Sequence, residues 1–306
     1  MVLQNRLEIR GKSETYIINP TDSAFILKPN GEICSTYIGH EKQSGRRVVV
    51  KRYHPWVNSA SAYLWRIERE AHVTTVCSGL SSELILFEGI YYLVTDYIDG
   101  ISFKELTRWR YHRKINYDHL IWLASKALNA LQKIHDAGFI HCDIKPSNII
   151  VTNPNNIVNS EVRIIDYGSA RNPAEPLHGN ENTLPFGLIY SAPEQVLNFW
   201  DLIDVQTDIY SMGVTLWSLF SRSEPWEAGN PLKTIHVQLT QPLPRIRRVS
   251  KDLMSILFKS TSKVQLSKPP HYYPRTQLRV LLQQAISSRY ASAIEVLQHF
   301  EQLARV

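Results

Sequence analysis

His141-Cys142-Asp143-Ile144-Lys145-Pro146-Ser147-Asn148-Ile149-Ile150-Val151 places a carboxylate, an ammonium and a carboxamide in one short polar stretch bounded by apolar residues. Eighteen residues beyond Asn148, Ile164-Ile165-Asp166-Tyr167-Gly168 sets a second carboxylate at a strand end, two residues before a glycine. A lone aspartate in a loop is usually a turn or cap residue. Asp143 differs because Lys145, Asn148 and Asp166 accompany it. Two carboxylates, an amide oxygen and an ammonium can together hold a hard cation and an anionic phosphate, and oxygen ligands suit magnesium.

The flanks of this stretch read as helices. Leu120, Leu123, Ala124, Ala127, Leu128, Leu131 and Ile134 recur at three- and four-residue spacing, the stripe of a helix with one buried face, and Gly138 ends it. Residues 207–220 are apolar nearly all round, which predicts a fully buried helix, and 278–286 and 292–303 predict two more. The first hundred residues have a different pattern. Residues 24–27, 47–51, 84–87 and 91–96 are β-branched or aromatic runs separated by turn residues, a meander of antiparallel hairpins, with one helix over about 59–76. A small strand-rich part therefore precedes a larger helix-rich one, joined near Asp99-Gly100.

Composition narrows the class. The chain has 306 residues, 43% of them hydrophobic, enough for a large core. The net charge of +6 suits anionic ligands but is too weak to argue for nucleic acid. Cys34, Cys77 and Cys142 are odd in number, widely spaced and without a CxxC pair, which argues against a disulfide framework or a zinc site. The first residues lack the apolar stretch of a signal peptide, and no run reaches the roughly 18 apolar residues of a membrane helix. A cytoplasmic protein is the resulting expectation.

HCDIKPSN resembles the catalytic loop of the protein kinase family, and Asp166-Tyr167-Gly168 resembles its DFG motif. Further matches follow in order. Val48-Val49-Val50-Lys51 resembles the VAIK strand, Arg69-Glu70 the helix carrying the lysine's glutamate, and Leu93-Val94-Thr95-Asp96-Tyr97 the hinge strand. Ala192-Pro193-Glu194 is the APE motif unchanged, residues 208–213 resemble the buried helix that braces the catalytic loop, and Arg289 matches the arginine that pairs with the APE glutamate. The similarity implies an α+β, two-lobed protein-kinase-like fold of serine/threonine type in a bacterial style. A small antiparallel-sheet N-lobe over about 22–97 would pass through a hinge at about 96–100 to a larger helical C-lobe over about 101–303. Residues 1–21 would be an extension on or near the N-lobe.

The resemblance further implies transfer of the ATP γ-phosphate to serine or threonine hydroxyls of a protein substrate. Asp143 and Lys145 would be catalytic, and Asn148 and Asp166 would hold Mg2+. Lys51, fixed by Glu70, would grip the phosphates, while Gly31, Val49, Thr95, Asp96, Ile98 and Ile150 would complete the nucleotide site. The rival use of the same fold is a catalytically weak pseudokinase acting as a scaffold. Three departures bear on this choice. Of the family's glycine-rich loop only Gly31 remains. Cys142 replaces the arginine that usually receives an activation-loop phosphate, so loop phosphorylation at Thr183 is not expected to be the on-switch. Gly187 stands where a threonine usually touches the catalytic aspartate. The basic, aromatic run at 108–114 reads as a solvated helix face.

Overall fold

A computed structural model describes residues 6–28, 33–59, 61–107, 115–175, 187–226 and 230–303. Gly31, the 108–114 run and Thr183 lie outside the described residues. The chain divides into two compact units, the first ending at Ile98 and the second beginning at Asp99.

The first unit is an antiparallel sheet with one long helix. Strands β1 (Leu7–Arg10), β2 (Thr15–Ile18), β4 (Cys34–Glu41), β5 (Arg47–Tyr53), β7 (Ile90–Asp96) and β6 (Ser82–Phe87) are hydrogen-bonded in that order, and β3 (Ile26–Lys28) pairs with β4. Helix α1 spans Ser61–Ser78. The period-two alternation of β5 decides which side each residue serves. Val48 and Val50 join Tyr92 and Val94 on one face. On the other face Tyr53 and Leu93 pack against Ile67 of α1.

The run at 24–27 is only partly a strand. Asp22 caps a short 3-10 turn over Ser23–Phe25, its carboxylate accepting from Ala24 N, and extended backbone begins at Ile26. Residues 7–18 read weakly in sequence, yet they form a hairpin that adds two strands. Ile9, Tyr16 and Ile18 cover the face carrying Val48, Val50, Tyr92 and Val94. The fit is close at Gly39, where a Cβ would stand 2.8 Å from the carbonyl oxygen of Ile17. The hairpin also reaches β6, because Tyr16 Oη donates to Glu83 Oε2 at 2.8 Å and Lys12 N donates to Oε1 at 2.6 Å. Tyr16→Phe is expected to lower unfolding free energy by about 1 kcal/mol, the usual net worth of one hydrogen bond, in urea titration. An unchanged midpoint would show that the hairpin is not tied to β6 in solution.

The second unit opens with β8 (Gly100–Ser102) and the short helix α2 (Phe103–Leu106), closed by a capping box between Ser102 and Glu105. Helix α3 (Tyr117–Asp136) follows, then the hairpin of β9 (Ile149–Thr152) and β10 (Val162–Ile164), to which β8 adds a third strand. The remaining helices are α4 (Pro193–Val196), α5 (Val205–Ser221), α6 (Pro231–Thr240), α7 (Lys251–Ser260), α8 (Arg275–Ser287) and α9 (Ala293–Leu303). The apolar stripe of α3 is buried throughout. Every residue of α5 from Thr207 to Phe220 is buried, as its all-round apolar character requires. Helices α6 and α7 escaped the sequence reading. Asn230 and Ser250 cap them, accepting from Lys233 N and Leu253 N.

Lys263 follows α7. Its ammonium lies 4.0 Å from the centre of the Trp226 ring and donates to the backbone carbonyl of Gln238. Burial pulls its pKa down to about 7. An unfolded lysine keeps its proton to about pH 10.4. Between those values the unfolded chain binds more protons than the folded one, so stability rises with pH above about 7. Melting temperatures from pH 7 to 9 should rise more steeply in the wild type than in Lys263→Met. Parallel curves would show that Lys263 titrates normally.

Candidate active site

In the first unit, alternation along β5 puts Val49 and Lys51 on the face that α1 packs against. Val49 lies opposite Thr95 and Lys51 opposite Leu93 in the neighbouring strand. The ammonium of Lys51 donates to Glu70 Oε1. Glu70 is buried on α1, whereas Glu68, two residues earlier, is exposed. Tyr53 Oη donates to the second carboxylate oxygen of Glu70 at 3.1 Å. The tyrosine hydroxyl therefore orients the glutamate that orients the lysine. Its position two residues after Lys51 on the same strand face was readable, but its role was not. Burial holds the Tyr53 phenol well above its usual range, with the Glu70 charge adding to the effect, so it stays a donor.

The strand leading to Ile98 is braced as well. Arg46 donates through Nη1 to Asp96 Oδ1 at 2.6 Å and through Nε to Glu41 Oε1 at 3.0 Å. Ser81 N donates to Asp96 Oδ2 at 2.8 Å. The side chain of Asp96 is thus held by both Arg46 and the Ser81 amide.

In the second unit, Asp143 lies at the centre of a hydrogen-bonded cluster and is buried. Lys145 Nζ donates to its Oδ2 at 2.6 Å, and Asn148 Nδ2 donates to the same oxygen at 3.2 Å and to the Asp143 carbonyl at 3.0 Å. Gly187 N donates to Oδ1 at 3.3 Å. Where the family carries a threonine side chain, a main-chain amide therefore makes the contact. A Cβ at 187 would stand 3.2 Å from Lys145 Cδ, so a larger residue would press on the lysine stem. Burial raises the Asp143 carboxyl above its ordinary range; the Lys145 cation opposes the rise and the Asp166 charge adds to it.

The loop's shape comes from beneath. Asp208, fully buried on α5, accepts from His141 N at 2.7 Å, Cys142 N at 2.8 Å and His135 Nε2 at 3.0 Å. Cys142 takes a left-handed backbone, φ 62°. Its carbonyl accepts from Gln195 Nε2 at 2.8 Å, a contact that nothing in the sequence announced. Its side chain is buried with Ile140, Trp200 and Ile203, so an apolar cluster occupies the position of the family's arginine. His141 is a packed structural residue. Nδ1 accepts from Asp143 N at 3.2 Å, which leaves Nε2 to donate to the Ile165 carbonyl at 3.1 Å.

Asn148 and Asp166 flank one hairpin. Ile149 is paired with Ile164, and Ile165 N donates to the Asn148 carbonyl at 2.9 Å, which brings the two residues to the same end of β9 and β10. Ile150, on β9, is partly buried. Asp166 has left-handed backbone, φ 69°, between β10 and the turn at Tyr167–Ser169. The amide nitrogen of Asn148 is committed to Asp143, while its Oδ1 accepts from Ser147 Oγ at 3.4 Å. An amide oxygen and a carboxylate are the hard donors that Mg2+ accepts alongside phosphate oxygens. Among the described residues no group of three or more His, Cys, Asp or Glu is placed to hold a metal ion. A two-donor set fits a metal that completes its shell from phosphate and water.

Residues 30–300 match the protein kinase domain family. A probable serine/threonine-protein kinase of Streptomyces coelicolor is 26% identical over 258 residues, which cover 79% of this chain and 36% of that protein. Probable serine/threonine-protein kinase PknB of Lactococcus lactis is 24% identical over 242 residues, covering 76% of this chain and 37% of that protein. The chain thus spans about a third of the length of the curated relatives it matches. The crystal structure of the Mycobacterium tuberculosis PknI kinase domain aligns with a TM-score of 0.61 at 17% identity, over 96% of this chain and 97% of that one. The fold class is accordingly α+β, an antiparallel-sheet lobe followed by a larger helical lobe. With the family match covering most of its length, and with the loop of Asp143, the Lys51–Glu70 pair and the buried Asp208 in place, the chain belongs to the protein kinase family.

Proposed function

We propose that this chain transfers the γ-phosphate of ATP to serine or threonine hydroxyls of protein substrates, with a kinase domain over residues 22–303 and the 7–18 hairpin as an addition to its sheet. The observation that carries this reading is the cluster at Asp143, where one buried carboxylate is held by an ammonium, a carboxamide and a main-chain amide. In this reading the acceptor hydroxyl gives its proton to Asp143 while its oxygen bonds to the γ-phosphorus. The bond from that phosphorus to the β,γ-bridging oxygen breaks, and ADP leaves. Lys145 balances charge on the moving phosphoryl group. Lys51, set by Glu70 and Tyr53, takes the α- and β-phosphates, and Asp96 and Ile98 meet adenine through backbone groups beside Val49 and Thr95, with Ile150 proposed as a further nucleotide contact. Asn148 and Asp166 would hold Mg2+, which when bound neutralises phosphate charge. Positioning and charge, not covalent chemistry by the protein, supply the rate.

Among the described residues no helix is long and apolar enough to cross a membrane. A cytoplasmic setting is proposed from the odd number and wide spacing of Cys34, Cys77 and Cys142. The function is tested by incubating the chain with labelled ATP, Mg2+ and a generic basic protein, then identifying the modified residues by mass spectrometry. Phosphoserine or phosphothreonine is expected. Phosphotyrosine alone would overturn the hydroxyl assignment, and ATP binding without transfer to any acceptor would favour a scaffold.

A further inference from the structure

Gln238 on α6 is fully buried. A buried amide needs partners, and its nitrogen finds them on the main chain. Nε2 donates to the carbonyl of Ser191 at 2.5 Å and approaches that of Ile189 at 3.5 Å. Those carbonyls belong to a closed turn over 187–191, in which Tyr190 N and Ser191 N donate to the Gly187 carbonyl at 2.8 and 3.1 Å and Ser191 Oγ donates to it at 3.1 Å. The first residue of that turn sends its amide to Asp143 Oδ1.

Gln238 is itself held from behind. Lys263 donates to its backbone carbonyl while lying over Trp226, and Trp226 Nε1 donates to the Pro242 carbonyl at 3.2 Å. A threonine at 187 would carry its own hydroxyl toward the aspartate. A glycine has only its amide, whose direction is fixed by the turn, so the turn must be anchored from elsewhere.

We propose that Gln238 is a positioning residue for phosphate transfer: by anchoring the 187–191 turn it holds the Gly187 amide against Asp143. The proposal rests on the kinase reading above, but its structural half is independent of it. Gln238→Met keeps the volume and removes both donors, and Gln238→Glu keeps the shape while replacing the donor with an acceptor. Both variants are compared with the full wild-type chain by amide hydrogen exchange and by steady-state kinetics with Mg2+-ATP and a basic protein acceptor. Exchange at the Tyr190 and Ser191 amides should quicken at least tenfold in each variant that folds. kcat should fall about 10- to 100-fold with KM for ATP within twofold, while the melting temperature of the Met variant drops by only a few degrees, the effect of one lost buried hydrogen bond. A general structural role would instead move kcat and KM together. Unchanged exchange at 190 and 191 in either variant would overturn the anchor, and quickened exchange with unchanged kcat would overturn its catalytic consequence. If the wild type transfers no phosphate, the kinase reading fails, while the exchange measurement still decides the anchor.

Discussion

Asp143→Asn should lower phosphate transfer by about 10²- to 10⁴-fold, the range for removal of a positioned general base, with affinity for ATP little changed. The side chains are nearly isosteric, and with its amide oxygen at the Oδ2 position the variant still accepts from Lys145 and Asn148, losing only the contact with Gly187 N, so the loop should keep its shape. What the variant loses is the capacity to take a proton. The wild type should also show an acid limb in its pH–rate profile at a higher pH than an ordinary aspartate gives, because burial raises the Asp143 carboxyl and only its ionised form can accept the proton. Activity therefore falls as pH drops through that value. The residual activity of the Asn variant should lack this limb. Initial rates from pH 5 to 8 for both proteins test the two statements together. A variant within threefold of the wild type would remove Asp143 from its proposed role.

Arg289→Ala should destabilise the chain by about 3–5 kcal/mol, the cost of stranding a buried charge. Both partners of the Arg289–Glu194 pair have fully buried side chains. Arg289 donates through Nη1 to Glu194 Oε1 at 2.5 Å and through Nη2 to Oε2 at 3.0 Å, and through Nε to the Ser262 carbonyl at 3.0 Å. Thr207 Oγ1 donates to the same glutamate at 2.9 Å, but a hydroxyl cannot neutralise a carboxylate. The loss is attributed to the orphaned charge, so it should shrink in Arg289→Met/Glu194→Leu, where neither charge remains. Urea titrations of the two singles and the double give the cycle. A single-variant loss below about 1 kcal/mol would mean that water reaches the pair, as it does for surface ion pairs.

The fold class was legible because its signals are local and repeated. The stripe of α3, the all-round apolar run of α5 and the valines of β5 each declare their burial through period alone. The hairpin at 7–18 was not legible as part of the sheet. Its strands are four residues long and flanked by charged residues, and what fixes them is distant: Glu83 to Tyr16, and the face of Val48 and Val50 beneath Ile9 and Ile18. Helices α6 and α7 were missed because each is only ten residues long, too few turns for periodicity to stand out.

At the candidate site, residue types and spacing singled out Asp143, Lys145, Asn148 and Asp166, and the structure brings the first three into one hydrogen-bonded cluster with Asp166 at the end of the adjoining hairpin. Supporting groups were silent because they act through the main chain or across long sequence separations. Gly187 uses its amide, Gln195 reaches the Cys142 carbonyl, and Tyr53 acts on Glu70. A glycine replacing a threonine reads as a loss in sequence, whereas the structure shows a substitute contact made by the backbone.

The central claim is that the loop of Asp143 and the adjoining hairpin hold the reacting phosphate and its metal. A crystal structure of Asp143→Asn with Mg2+ and a non-hydrolysable ATP analogue tests it most directly. Expected are Asn148 Oδ1 and the Asp166 carboxylate on the metal, with Lys145 Nζ facing the γ-phosphate. A γ-phosphate bound away from these groups, or a metal held by other side chains, would contradict it.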